Sequence, residues 1–256
     1  MDANIKIGII QLNSNDNLQD NCNQLDYYFN QCLKDGANFI LSPEVSNFIS
    51  TNNELKKKSI KFEKEDPIIN KVKKSCSKFK VWSLIGSVII KVKKCGKEEF
   101  VNRSILVNPN GKIIARYDKI HMFDVIIDSK ETYRESKKFM PGRDMILAKT
   151  PFANIGLTIC YDIRFPYLFS KLKKNGADII CIPSAFTMKT GEDHWEILVK
   201  ARAIENKVYI IAPAQCGHNT STRQTWGHSL IINPEGKILC DLGKNAGYRV
   251  LRLKND

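Results

Sequence analysis

Long apolar runs are missing from this sequence of 256 residues. No stretch reaches the roughly 18 apolar residues of a membrane-spanning helix. The first residues, MDANIKIGIIQL, have the pattern of a β-strand rather than that of a signal peptide. The sequence therefore predicts a soluble, cytoplasmic protein without a membrane partner. Its hydrophobic content of 43% can fill a large core, and we expect one domain spanning residues 1–256.

Closely spaced cysteines are missing as well. The eight cysteines are scattered along the chain without a C-x-x-C pair. This spacing indicates neither a zinc site nor the disulfide framework of a small secreted protein. We therefore expect reduced thiols, no bound metal and no cofactor.

Negative charge is scarce relative to positive charge. The 40 Lys and Arg residues outnumber the 27 Asp and Glu residues, giving a formal net charge of +13, which suggests nucleic-acid binding as one hypothesis. The lysine pairs and triplets, however, are spread out and lack interleaved aromatic residues or a recognisable nucleic-acid-binding module. We interpret them as a solvated surface and expect a small-molecule substrate, with no nucleic-acid partner.

The most informative stretch is an apolar segment that ends at a cysteine and turns into a helix. Residues 153–159 are nearly all apolar or β-branched, which predicts a strand buried on both faces. Pro166 fits the first turn of a helix that runs to about Asn175. Cys160 would then lie partly exposed at the corner, near the positive end of the helix dipole. That setting lowers the pKa of a thiol, so Cys160 is a candidate nucleophile, although a lone cysteine is more often a buried apolar residue.

The rest of the pattern predicts alternating strands and helices. Strands are expected over residues 5–12, 38–41, 81–92, 100–107, 112–117, 178–182, 208–212, 228–232, 237–240 and 248–253, and helices over 18–33, 67–76 and 194–205. Polar loops are expected between residues 121 and 141, from Ser184 through Gly191, and from Gln215 to Thr225.

An internal repeat divides the chain into two halves. Residues 36–43 are echoed by residues 176–183, and each segment follows a strand-helix pair that contains an Ile-Gly motif. Two such halves, each closing with an Asn-Pro-x-Gly hairpin, predict an α/β fold of two sheets packed face to face with helices outside. Active groups should then cluster at the carboxyl ends of the central strands, where both Glu44 and Cys160 fall.

Three motifs, in this order and at these separations, resemble the Glu-Lys-Cys signature of the nitrilase, or carbon-nitrogen hydrolase, superfamily. They are Pro43-Glu44, YDKIH at residues 117–121 and CYDIRFP at residues 160–166. The resemblance covers nearly the whole chain and implies an α-β-β-α sandwich of two packed mixed sheets with outer helices. It also implies four catalytic residues: Cys160 as nucleophile, Glu44 as general base, Lys119 as stabiliser of the tetrahedral intermediate, and Glu135 as a second carboxylate.

Amide hydrolysis explains these residue types. It needs a thiolate that attacks the carbonyl, a base that takes protons, and positive charge where the oxyanion forms. Cys160, Glu44 and Lys119 supply one of each, and the backbone N–H of Tyr161 is the simplest further donor to the oxyanion. Glu135 would position Lys119 or the leaving amine; alternatively, it is a loop carboxylate paired with a neighbouring cation.

Other chemistries stay open on the residues alone. His121 would be the partner in a Cys-His hydrolase of another type, although its place after Lys119 favours holding the loop by hydrogen bonding. Asp162 would cap or brace the helix after Cys160. A non-catalytic binding protein that retains the fold is a further alternative.

Segments downstream of the cysteine narrow the resemblance to the branch that contains deaminated-glutathione amidases, whose neighbour is the ω-amidase of α-ketoglutaramate. This branch cleaves an amide that bears a 2-oxo acid, so the resemblance implies that Phe186 and Thr190 line the pocket. Arg164, one turn beyond the nucleophile, would bind the substrate carboxylate in a bidentate fork; alternatively, it is a surface charge. The similar segments are PSAFT at 183–187, ARAIEN at 201–206, AQCG at 214–217 and WGHS at 226–229.

The chain ends at Asp256, shortly after its last predicted strand, whereas the relatives usually continue into an arm that packs across a dimer. We still expect a homodimer, held by the helix after Cys160 and the segment over residues 194–206. The apolar positions expected to be spare on these helices are Leu168, Phe169, Leu172, Leu198 and Val199.

Overall fold

The computed structural model describes residues 5–126 and 132–253. Its two six-stranded sheets pack face to face, with helices on the outer faces. The expected α-β-β-α sandwich is therefore confirmed. Part of the predicted polar loop, residues 127–131, and the last residues, 254–256, lie outside the described residues. Within the described ranges, no helix has both the length and the apolar character needed to cross a membrane.

The first half of the chain forms most of the first sheet. Its strands are β1 (Lys6–Gln11), β2 (Phe39–Leu41), β3 (Trp82–Lys94), β4 (Lys97–Val107) and β5 (Ile113–Asp118). Its helices are α1 (Leu18–Lys34), α2 (Asn53–Ser59) and α3 (Pro67–Phe79). A small antiparallel pair, β6 (Asp124–Ile126) and β7 (Thr132–Arg134), then leads into a 3₁₀ turn at Glu135–Lys137.

The second half forms the second sheet and returns to the first. Its strands are β8 (Ile146–Lys149), β9 (Asn154–Leu157), β10 (Ile179–Cys181), β11 (Tyr209–Ala212), β12 (Cys216–His218), β13 (Gln224–Trp226), β14 (Leu230–Ile232), β15 (Ile238–Asp241) and β16 (Gly247–Arg252). A 3₁₀ helix at Cys160–Arg164 is followed by the helices α4 (Pro166–Lys174) and α5 (Met188–Asn206).

Both sheets have the same topology. The first has the order β16-β1-β2-β3-β4-β5 and the second the order β15-β14-β11-β10-β9-β8. In each sheet, three parallel strands are flanked by one antiparallel strand on one side and two on the other. The repeated segments at 36–43 and 176–183 carry β2 and β10, the middle parallel strands. The sequence repeat thus corresponds to a repeat in the fold.

Alternate residues of the central strands face different layers, as the period of a strand requires. Ile9 joins the core between the sheets, whereas Ile10 packs with the outer helices. The two Ile-Gly motifs allow these helices to approach closely. A Cβ on Gly8 would lie 3.0 Å from the Cys32 side chain of α1, and one on Gly156 would lie 3.0 Å from Leu172 of α4.

Some element boundaries differ from the prediction. Helix α5 begins at Met188 rather than His194, so Thr190 lies in its first turn and not in a loop. The Thr187 hydroxyl caps this turn by accepting from the Thr190 N–H at 3.3 Å. Part of the loop predicted after Gln215 is the β12-β13 hairpin. Helix α2 was not predicted, because its sequence NELKKKS contains one apolar residue and no periodic stripe.

The prediction that some of the named apolar residues on α4 and α5 stay uncovered and available for a dimer contact is wrong. The two helices pack on the second sheet and on each other, so the named residues contribute to the core of the chain itself. Buried there are Leu168, Phe169, Leu172 and Val199, with Leu198 partly buried beside them. The large exposed apolar residues on these helices are instead Tyr167, Ile197 and Ile204.

Candidate active site

A cavity of about 350 Å³ lies beyond the carboxyl ends of the central strands. Glu44 follows β2 of the first sheet and Cys160 follows β9 of the second, so each half of the chain contributes to the cavity. The structure brings together all eight residues singled out from the sequence, since each lines this cavity: Glu44, Lys119, Glu135, Cys160, Tyr161, Arg164, Phe186 and Thr190.

The Lys119 ammonium lies between two carboxylates. Its Nζ is 3.0 Å from Oε1 of Glu44 and 2.9 Å from Oε2 of Glu135, and the side chain is only 2% exposed. The Phe123 N–H donates to Glu135 Oε2 at 2.7 Å and fixes that carboxylate. Burial by itself would lower the pKa of Lys119, but Glu135 and Glu44 outweigh it and hold the pKa well above its ordinary value. Lys119 is therefore a fixed positive charge.

Glu44 is held by groups that the sequence reasoning missed. Asn102 of β4 donates from Nδ2 to Glu44 Oε1 at 2.9 Å, and Gln215 donates from Nε2 to the Glu44 carbonyl at 2.9 Å. Asn102 gives little signal in the sequence, because Arg103 and Ser104 directly after it are polar as well. Gln215 gives none that can be separated from an ordinary loop residue.

Cys160 departs from the expected setting. A 3₁₀ helix, rather than the start of α4, follows it, and the residue is 7% exposed with φ of 48°. Burial is the largest influence and, with the charge of Glu44, raises the pKa of the thiol far above its ordinary value despite the opposing effect of Lys119. The prediction of a partly exposed thiol with a lowered pKa is therefore wrong. The Glu44 carboxylate and the Ala185 N–H both lie next to the thiol, the first raising and the second lowering its pKa.

A buried carboxylate braces the segment around the cysteine. Asp162 Oδ2 accepts from the Ile159 N–H at 2.8 Å and from the Tyr117 hydroxyl at 2.7 Å. Its Oδ1 lies 2.6 Å from Nδ1 of His121, whose Nε2 contacts the Tyr167 hydroxyl. Both ring nitrogens of His121 thus have partners other than Cys160. The histidine holds the loop, and nothing in this geometry favours a Cys-His pair.

Arg164 lies against aromatic rings on one side of the cavity. Its guanidinium carbon is 5.9 Å from the ring centres of both Tyr161 and Phe186, and its Nη2 is 3.1 Å from Nδ1 of His194. Phe186 is in turn held by Trp195 of α5, with the ring centres 4.8 Å apart. A guanidinium supported in this way keeps its fork available for a planar anion.

The pattern of the carbon-nitrogen hydrolase family matches residues 6–252. The chain belongs to the carbon-nitrogen hydrolase family. It is 39% identical over 237 residues to a deaminated glutathione amidase from Yersinia enterocolitica, covering 92% of this chain and 82% of that protein.

Solved structures agree with this assignment. The Caenorhabditis elegans NitFhit protein superposes with a TM-score of 0.89 at 29% identity, covering 98% of this chain and 61% of that longer chain. Nit3 of Saccharomyces cerevisiae, a member of branch 10 of the nitrilase superfamily, superposes with a TM-score of 0.83 at 26% identity, covering 98% of this chain and 90% of that one.

In this carbon-nitrogen hydrolase, a thiol, a carboxylate and an ammonium converge in one cavity. Because burial raises the pKa of the thiol, the sulfur needs a base in direct contact to lose its proton. Glu44 makes that contact, and Lys119 supplies positive charge beside it. The arrangement can therefore perform nucleophilic acyl transfer.

Proposed function

We propose that this chain hydrolyses the amide bond of deaminated glutathione through a thioester on Cys160. The observation that carries the proposal is the hydrogen-bonded set of Glu44, Lys119 and Glu135 beside the Cys160 thiol. Its similarity to the Yersinia enterocolitica protein of that name supports the choice of substrate. Arg164 would bind the carboxylate of the 2-oxo acid, with Phe186 and Thr190 along the wall of the pocket.

In the first half-reaction, Sγ of Cys160 bonds to the amide carbon while Glu44 takes the thiol proton. The negative charge that develops on the carbonyl oxygen is stabilised by Lys119 and by the backbone N–H of Tyr161. The carbon–nitrogen bond then breaks, and Glu44 returns its proton to the leaving amine. The product of this step is a neutral amine and a thioester on the cysteine.

In the second half-reaction, water attacks the thioester carbon and Glu44 accepts one of its protons. The carbon–sulfur bond breaks, the acid is released, and the proton returns to the sulfur. Glu135 remains paired with Lys119 throughout and keeps the ammonium in position. One base thus serves both half-reactions, and no redox partner is needed.

The test is the release of 2-oxoglutarate from deaminated glutathione and from α-ketoglutaramate. Cys160→Ala should abolish it, and Glu44→Gln should lower kcat by about a hundredfold or more, the usual range for general acid-base catalysis. Cys181→Ala is the matched control, because it removes another buried free thiol and should stay active. Activity in Cys160→Ala, or an unchanged kcat in Glu44→Gln, with the fold intact by circular dichroism, would refute the mechanism.

We also propose that the protein is a single-domain homodimer in the cytoplasm, without a nucleic-acid or membrane partner. Exposed Tyr167, Ile197 and Ile204 on α4 and α5 support a contact between two copies of these helices. The eight free cysteines support a reducing compartment.

A further inference from the structure

A second group of positive charges lines the cavity. Lys56 comes from α2, Lys138 follows the 3₁₀ turn after β7, and Arg223 immediately precedes β13. None of the three belongs to the set around Cys160 described above. They converge from three separate parts of the chain, which distinguishes them from the dispersed lysines of the surface.

Lys56 is the most unusual of these cations, because only 7% of it is exposed. Its ammonium lies 5.2 Å from the ring centre of Phe139. Among residues 5–126 and 132–253, no carboxylate is within ion-pair distance of it. Burial lowers the pKa of Lys56 to about 8, and the nearby charges of Lys138 and Arg223 act in the same direction against Glu135. A buried ammonium facing two cations is a site that an anion would stabilise.

Arg223 provides a second, independent observation. Its Nε is buried and has no hydrogen-bond partner in the described part of the chain. Its Nη2 donates to the Ala185 carbonyl at 3.3 Å, and the N–H of the same Ala185 lies next to the Cys160 sulfur. The Arg223 guanidinium is therefore hydrogen-bonded to the backbone segment beside the nucleophile, and its buried Nε–H is left without a partner.

We infer that Lys56, Lys138 and Arg223 form a second anion subsite, which binds a carboxylate on the amine side of the scissile bond. The inference rests on the proposed function and extends it. Arg164 lies against Tyr161 and Phe186, whereas Lys56 lies over Phe139, so the two cationic groups serve different walls of the cavity. Deaminated glutathione carries one carboxylate on each side of its scissile amide, whereas α-ketoglutaramate carries one on the acyl side alone. The subsite therefore selects the larger, dianionic amide.

The two substrates share their acyl group, so comparing them isolates the subsite. Lys56→Gln should lower the ratio of kcat/KM for deaminated glutathione to kcat/KM for α-ketoglutaramate by about tenfold or more, as expected for losing one charged hydrogen bond. Lys56→Arg should restore most of that ratio. Lys57→Gln is the matched control, since Lys57 is the next residue of the same helix but is exposed, and it should leave the ratio unchanged.

An unchanged ratio in Lys56→Gln, including the case in which kcat/KM falls equally for both substrates, would overturn the proposed subsite. Binding gives a readout that does not depend on turnover. In Cys160→Ala, addition of Lys56→Gln should weaken the calorimetric affinity for deaminated glutathione by about tenfold, and equal affinities would overturn the inference. A wild-type protein that hydrolyses neither substrate would refute the proposed function itself, whereas an active protein with an unchanged ratio would refute the subsite alone.

Discussion

Lys119 shows how single residues set the chemistry of this site. A buried ammonium is unstable in a low-dielectric interior unless carboxylates compensate it, and Glu44 and Glu135 do so at hydrogen-bond distance. The same pairing keeps the Glu44 carboxylate beside the Cys160 thiol, whose pKa is raised by burial. Proton transfer on attack, rather than a standing thiolate, therefore suits this geometry.

At the same scale, Arg164→Ala should raise KM for 2-oxo-acid amides by about tenfold to a hundredfold, because a charged, bidentate contact is lost. KM for a neutral short-chain amide should change much less. Steady-state kinetics on both substrates is the measurement, and His194→Ala, which removes a neighbour of the guanidinium, is the control. Equal effects of Arg164→Ala on both substrates would show that Arg164 is not the carboxylate clamp.

The location of the candidate residues could be predicted from local motifs, whereas their burial depends on packing, and their catalytic roles stay predictions. All eight candidate residues line one cavity, and Glu44 and Cys160 among them come from motifs that mark the ends of strands. The environment of Cys160 was missed, since its left-handed backbone and its contact with Ala185 depend on distant segments. Nothing in the sequence distinguishes Lys56 from the neighbouring Lys57. The orientation of α2 alone buries the first and exposes the second.

At the scale of elements, the start of α5 depends on a close contact with β13. A Cβ on Gly191 would lie 2.3 Å from Cβ and Cγ of Trp226, so no larger residue fits without moving the helix. The helix also carries Thr190, which lines the cavity. The position of this wall of the pocket is therefore linked to the packing between α5 and the hairpin.

Gly191→Ala should lower the free energy of unfolding by about 1–3 kcal/mol, the usual cost of overpacking. Urea denaturation followed by circular dichroism would measure it. Gly247→Ala in β16 is the control, because its Cβ would meet only the Asn245 carbonyl, at 4.0 Å. Equal stability of the two variants would contradict the tight helix-hairpin contact.

Elements with a strong apolar period were predictable, and those defined by capping or tertiary contacts were not. Helix α1 and the central strands follow their hydrophobic patterns closely. The sequence Thr190-Gly191 favours a loop at the first turn of α5, but the Thr187 cap and the Trp226 contact favour a helix. Helix α2 has no apolar stripe from which to be predicted.

At the scale of the whole molecule, buried glutamines join the two halves. Gln11 of β1 accepts from the Ser229 N–H at 2.7 Å, and Gln215 accepts from the Ser14 N–H at 2.9 Å. The repeat in the sequence predicted two halves with packed sheets. These cross-connections are not predictable from the sequence, because a single glutamine at the end of a strand or in a loop shows no periodicity that identifies its partner.

The proposed homodimer gives a prediction at this scale. Ile197→Lys should raise the dissociation constant of the dimer by about tenfold or more, because it places a charge in the apolar contact proposed for α5. Light scattering over a dilution series, beside an activity assay, is the measurement. Ile126→Lys is the control, since Ile126 is similarly exposed but lies on β6. A wild-type monomer that keeps full specific activity at every concentration would rule the dimer out.

The division of the site between the halves also determines when activity arises during biosynthesis. Glu44 and Lys119 are translated well before Cys160, and β1 completes its pairing only after β16 has left the ribosome. In the proposed mechanism, a nascent chain that carries only the first half holds the base and the ammonium without the nucleophile. The proposed mechanism therefore predicts that translation products truncated before Cys160 are inactive.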